Sequence, residues 1–166
     1  MATFHTKTFI KHDDYMTPKY AWEDIKQYIP NGKIWEAFYG DGTSGQYLKE
    51  LGFDVIHEER DFYDEPPEYT CLCSNPPYSQ SKDIMKRLKE LDKPFILILP
   101  CSKITTSYMR EYFKDKGLQI IIPKKRIHFI KLVDGKVPDK WKNACNFDCF
   151  YYVYKLNLPR DIIWLE

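Results

Sequence analysis

Between Ser74 and Ser79 the chain reads Ser-Asn-Pro-Pro-Tyr-Ser, where an apolar run ends and a helical pattern begins. Pro76 and Pro77 have fixed φ angles and no N–H, so the loop they form is stiff and poor in backbone donors. A rigid loop that holds Asn75 and Tyr78 at a strand end suits a flat ligand bearing an amino group.

Two further loops carry residues of the right kind. Glu36 to Gly45 reads EAFYGDGTSG, with glycines at 40 and 42 between a strand and a helix. Glycines there allow positive φ and a close approach of backbone to ligand, although a tight βα turn would use them equally well. The spacing is not G-x-G-x-x-G, and the absence of G-K-[ST] excludes a phosphate-cradling P-loop. Glu36 and Asp41 would repel a triphosphate and welcome an ammonium or a sulfonium. His57 to Glu65 reads HEERDFYDE, with Glu58 and Glu59 at the end of the next strand. An acid in that place can accept from both hydroxyls of a ribose, as in dinucleotide folds, or can simply be a solvated loop acid.

The elements that must position these loops alternate. TPKYAWEDIKQYI reads as a helix with Thr17 as N-cap and Pro18 in its first turn. The strands KIWEAF, FDVIHE, YTCLCS, PFILILP and LQIIIP are interleaved with the helices TSGQYLKELG, SKDIMKRLKEL and TSYMREYFKDKG. PFILILP is apolar throughout, as expected of a strand buried on both faces. The link from the second strand to the third, Asp61 to Glu68, is acidic and contains prolines. Beyond Pro123 no helix separates RIHFIKLVDGK from NFDCFYYVYKL, so the last strands should pair antiparallel. The expected fold is α/β, a three-layer sandwich in one domain spanning residues 1–166. The loops after the first three strands then share one edge of the sheet, where open α/β folds bind ligands.

Composition narrows the rest. With 43% hydrophobic and 30% charged residues the chain reads as globular, and no apolar run nears the roughly 20 residues of a membrane span. The first residues lack the apolar core and cleavage site of a signal peptide, so a soluble cytoplasmic protein is expected. The five cysteines lack paired C-x2-C spacing and the four histidines are scattered, so reduced thiols and no metal site are expected. Residues 1–75 hold 7 Lys/Arg against 14 Asp/Glu, whereas residues 76–166 hold 18 against 10. The densest basic stretch, Lys124 to Lys142, opens with Lys124, Lys125 and Arg126. It suits a polyanion on one side of the molecule, or it is a solvated face.

Taken together, DYMTP, EAFYGDG, RDFYDE and SNPPYS resemble, in this order, the motifs of S-adenosylmethionine-dependent amino-methyltransferases. Asn-Pro-Pro-Tyr is the form similar to adenine-N6 DNA methyltransferases, and the compact layout is similar to small phage and viral members. The resemblance implies a Rossmann-like class I sheet, S-adenosylmethionine as cofactor, and methyl transfer to adenine N6 in DNA. It implies that Asn75, Pro76, Pro77 and Tyr78 hold a base that is flipped out or single-stranded. Glu36, Phe38, Gly40, Asp41 and Gly42 would line the methionine end of the cofactor, with Asn75 beside them. Tyr15, Thr17 and Pro18 would close over its amino-acid part. Glu59, or Glu58 one residue earlier, would hold the ribose, and Asp61 and Phe62 would flank its adenine. Pro is missing between Glu36 and Phe38, where Ala37 stands. No separate target-recognition domain is apparent, so readout would fall to Lys124–Lys142, to a recognition partner or to a second copy. RNA adenine, a glutamine amide, or binding without turnover are the alternatives.

Overall fold

The computed structural model describes residues 15–131, 136 and 147–166. The expected Asp134-Gly135 turn, Trp141 and most of the basic stretch beyond Lys131 lie outside these residues. In chain order the elements are β1 (Tyr15–Met16), α1 (Lys19–Glu23), β2 (Lys33–Trp35), α2 (Thr43–Glu50), β3 (Asp54–Ile56), β4 (Cys71–Ser74) and α3 (Ser81–Leu91). There follow β5 (Phe95–Pro100), α4 (Ser107–Phe113), β6 (Gln119–Ile122), β7 (Ile130–Lys131), β8 (Cys149–Tyr154) and β9 (Ile162–Trp164).

Seven strands form one sheet in the order β3-β2-β4-β5-β8-β6-β9. The first four run parallel, and β8 inserts antiparallel between β5 and β6. Alternation of side chains along the strands feeds two cores. Leu72, Phe95, Leu97 and Leu99 pack on one face against Ile84 and Leu88 of α3 and Phe113 of α4. Ile34, Cys71, Cys73, Ile96 and Ile98 pack on the other against Trp22 of α1 and Leu48 of α2. Phe95 to Leu99 are all fully buried, which is why that run shows no polar alternation. The fold is therefore α/β with a helical layer on each side of the sheet.

Three details depart from the sequence reading. The first helix stops at Glu23, and a separate 3-10 turn covers Lys26–Tyr28. Thr17 does not cap it: Pro18 takes the N-cap place with an extended ψ of 152°, and no side chain caps the end. Thr17 is instead buried at the sheet edge. Among its described residues the segment RIHFIKLVDGK contributes β7, which pairs antiparallel with β1 outside the main sheet, Met16 opposite Ile130. Finally, β9 was not anticipated, and it extends the sheet in parallel beside β6. No helix among the described residues is long and apolar enough to cross a membrane.

Connectivity makes the crevice. The chain leaves β2 for β3 on one side and then crosses to β4 on the other, so the sheet reverses direction of growth at β2. Ligands of open α/β sheets bind outside the carboxyl ends of the strands at such a point.

Candidate active site

A cleft opens between the carboxyl ends of β2 and β4. It is lined by Glu36, Phe38, Tyr39, Gly40, Asp41, Thr43 and Ser44 from the first loop and by Asn75 to Tyr78 from the second. Tyr15, Met16 and Thr17 close it. About 520 Å³ of free space lies within it out to its mouth.

Asn75 is the residue whose surroundings say most. Its Nδ2 donates to the Tyr15 carbonyl at 3.2 Å, which fixes the amide's orientation. Its Oδ1 is buried and makes no hydrogen bond. An unmet buried acceptor costs on the order of 1–3 kcal/mol, and this one is available to a donor from a water or a ligand. Pro76 and Pro77 are buried behind it. The Tyr78 carbonyl accepts from Ser81 Oγ at 2.7 Å and from Lys103 Nζ at 3.4 Å, which anchors the loop to the start of α3 and to the segment after β5. The Tyr78 ring meets Phe129 and Phe147 edge-on, with centroids 6.4 and 5.8 Å away, and Tyr15 meets the same two rings. Neither phenylalanine was a sequence candidate. Phe129 sits in an ordinary apolar strand pattern and Phe147 in another, so nothing local marked them.

The glycine loop has a defined geometry. Gly40 and Gly42 have φ of 60° and 88°, and Gly42 stands at the N-cap of α2. Asp41 Oδ1 accepts from the Thr43 N–H at 3.0 Å and from Thr43 Oγ1 at 2.6 Å, satisfying the start of the helix from one residue before its cap. The third glycine has a different task. A Cβ on Gly45 would collide with the imidazole of His57, so this residue lets α2 pack onto the end of β3. His57 in turn stacks on Tyr39, centroids 4.6 Å apart, and ties the two strand-end loops together. Burial lowers the His57 pKa, so the ring favours its neutral form.

Glu36 differs most from its sequence reading. It is buried, and both carboxylate oxygens are occupied by the chain itself. Oε1 accepts from Ser74 Oγ and from the Phe38 N–H at 3.1 Å, and Oε2 accepts from Ser44 Oγ at 2.7 Å. Burial pushes its pKa up to about 8 against the lowering effect of those three donors. Glu36 thus braces the two strands that carry the site, which leaves Asp41 as the exposed acid of the cleft.

Other expected site residues lie outside the cleft lining. Glu58 is exposed and pairs with Arg60 at 3.0 Å, and Glu59 is exposed beside it. Asp61 is buried, its Oδ1 accepting from the Tyr63 N–H at 2.9 Å. Phe62 is fully buried against Phe38, centroids 4.7 Å apart, and against Trp35 at 5.8 Å. Pro18 and Gly42 flank the lining residues in sequence. Met16, Tyr39, Thr43 and Ser44 line the cleft without having been singled out, although each lies within or beside a motif that was.

Lys124, Lys125 and Arg126 are exposed beyond the carboxyl end of β6, the same sheet edge that bears the cleft. From there the chain runs to β7, whose pairing with β1 brings it to Tyr15 and Met16 at the cleft wall. Arg126 is engaged with Asp148 through two parallel hydrogen bonds of 3.1 and 3.0 Å. Among the described residues no group of three or more His, Cys, Asp or Glu could hold a metal ion.

No family model matches the sequence, and no curated protein does so either. Among solved structures, a Listeria monocytogenes protein provisionally assigned as a class I S-adenosylmethionine-dependent methyltransferase is similar at a TM-score of 0.44 and 12% identity. The similarity spans 95% of this chain and 67% of that one. A likeness so distant decides nothing about chemistry.

Proposed function

We propose that this chain is an S-adenosylmethionine-dependent methyltransferase whose acceptor is the N6 amino group of adenine in DNA. One observation carries the reading: Asn75, whose buried Oδ1 has no partner in the chain, lines the same cleft as Gly40 of the positive-φ turn. The Asn-Pro-Pro-Tyr form and the order of motifs supply the choice of acceptor. The residues suit the cofactor in kind. Phe38, Gly40 and Asp41 would hold the methionine end and Tyr15 and Thr17 its amino-acid part, while Glu58 and Glu59, which would hold the ribose, lie outside the cleft lining.

S-adenosylmethionine, when bound, supplies a methyl made electrophilic by its sulfonium. The chain has to make a poor nucleophile better, because the N6 lone pair is delocalised into the purine. Asn75 Oδ1 accepts one amino hydrogen, and the Pro76 carbonyl is the second acceptor available on the loop. Accepting both hydrogens draws the lone pair out of conjugation and aims it. With the amine so held, the cofactor's methyl would be the group transferred, and the amino proton given up would pass to solvent. Proline stiffness and the hydrogen bonds anchoring Tyr78 hold the acceptors in place before the substrate arrives, so catalysis rests on preorganisation rather than on a strong base. Lys124 and Lys125 would neutralise phosphates along the edge leading to the cleft.

The test is to incubate the protein with methyl-labelled cofactor and DNA, RNA or protein in parallel, then digest and identify the product. Label recovered as N6-methyladenine from DNA supports the proposal. Label in RNA alone or in glutamine transfers the same chemistry to another acceptor. No turnover despite cofactor binding makes the chain a binding subunit.

A further inference from the structure

Among the described residues β9 is the outer strand at the end of the sheet away from β3. Among the described residues four large apolar side chains are exposed, and two of them, Ile162 at 54% and Trp164 at 71%, stand on β9. Their in-register neighbours on β6 are Ile120 and Ile122, so both project from one face, while Ile163 between them is buried on the other. The hydrogen bonds to β6 decide which backbone groups remain. Ile120 N–H donates to the Asp161 carbonyl at 2.8 Å, and Leu165 N–H donates to the Ile122 carbonyl at 3.0 Å. In a parallel ladder alternate residues of a strand serve one neighbour, so Asp161, Ile163 and Leu165 face β6. The N–H and C=O groups of Ile162 and Trp164 therefore face outward.

We propose that β9 pairs antiparallel with β9 of a second copy of this chain, about a two-fold axis at Ile163. Ile162 then stands opposite Trp164 of the second copy, and the reciprocal pair repeats the contact. Both residues of each pair have outward backbone groups, so each pair exchanges two hydrogen bonds, four in all. Ile163 meets its own counterpart at a position that needs no hydrogen bond, as it must, because its backbone groups already serve β6. The same register brings Arg160, in the bend before β9, towards Glu166 of the second copy, twice. Moving the axis one residue earlier would set Trp164 opposite Arg160, and one residue later would set Ile162 opposite Glu166. Only the centred register matches apolar with apolar and cation with anion. That self-complementarity is what an isologous interface requires, and it favours a copy of this chain over an unrelated partner.

β9 has three residues and follows Pro159, features that discourage indiscriminate edge pairing, so the affinity rests on the Trp–Ile contacts and the two ion pairs. Strands β5, β8 and β6 stand between β4 and β9, so the dimer leaves both clefts open. The inference is independent of the proposed methyl transfer.

Sedimentation velocity over a dilution series tests it. The wild-type chain should show a reversible monomer–dimer equilibrium. Arg160→Glu or Glu166→Lys alone should raise the dissociation constant about tenfold, and the two together should restore it. Ile162→Lys with Trp164→Lys should give a monomer with an unchanged circular dichroism spectrum, since both side chains are exposed. A monomer at every wild-type concentration overturns the proposal. So does a dimer insensitive to these substitutions, or a charge reversal that fails to restore affinity.

Discussion

The hydroxyl of Ser44 donates to Glu36 Oε2 at 2.7 Å while accepting from Trp22 Nε1 at 2.9 Å, so α1, α2 and the end of β2 meet on one buried carboxyl. Ser74, at the end of β4, closes the network on the other oxygen. The residue before Asn75 is thereby tied to the residue that begins the glycine loop, and the two halves of the cleft are braced against each other.

That brace makes stability depend on pH. The pKa of Glu36 rises from 4.5 to about 8 on folding, so between these values the native state holds a proton that the unfolded chain releases. Stability from this group is therefore lost as pH rises from about 4.5 to about 8, by an amount on the order of a few kcal/mol. Glu36→Gln keeps a neutral hydrogen-bonding side chain and removes the titration. Its urea midpoint should fall less than the wild type's between about pH 5 and about pH 8. Equal slopes for the two proteins would mean that Glu36 is ionised when folded.

The contact between Gly45 and His57 gives a second prediction. Gly45→Ala should destabilise by roughly 1–3 kcal/mol through overpacking, despite the better helix propensity of alanine. His57→Ala removes the obstruction, so the double variant should lose less than the two single losses added. A double-mutant cycle by denaturant unfolding measures the coupling, and strict additivity would show that the imidazole does not limit the helix's approach.

The pairing of Arg126 with Asp148 predicts unequal roles within the basic cluster. Lys124→Ala and Lys125→Ala should each lower the slope of log affinity for DNA against log salt by about one. Arg126→Ala should lower it less, because Asp148 already takes up the guanidinium. Asp148→Asn should strengthen DNA binding by releasing it. Binding titrations at several salt concentrations check all four, and an unchanged slope in both lysine variants would mark the cluster as a solvated face.

The fold was legible where periodicity is strong. The two-sided burial of Phe95–Leu99 is visible in an unbroken apolar run, and the turn at Gly42 in a glycine at a strand–helix junction. The sharing of one sheet edge by the Glu36–Gly42 and Asn75–Tyr78 loops followed from the alternation of strands and helices. What sequence could not show was the use made of a polar side chain. Glu36 looks like a ligand-facing acid, but Ser44 and Ser74, eight and 38 residues away, take up its oxygens. Gly45 looks like part of a loose glycine motif, yet its reason is His57, just beyond the end of β3. β9 was missed because Ile-Ile-Trp is too short to carry a period.

The central claim is that the amide oxygen of Asn75 positions the acceptor amine, whatever contact the residue also makes beside the cofactor. Asn75→Ala tests it most directly, with methyl incorporation into DNA and cofactor affinity measured on the same preparation. Incorporation should fall by at least about a hundredfold, as for loss of a preorganised hydrogen-bonding group, with cofactor affinity changed little. Methylation by Asn75→Ala at the wild-type rate would contradict the account.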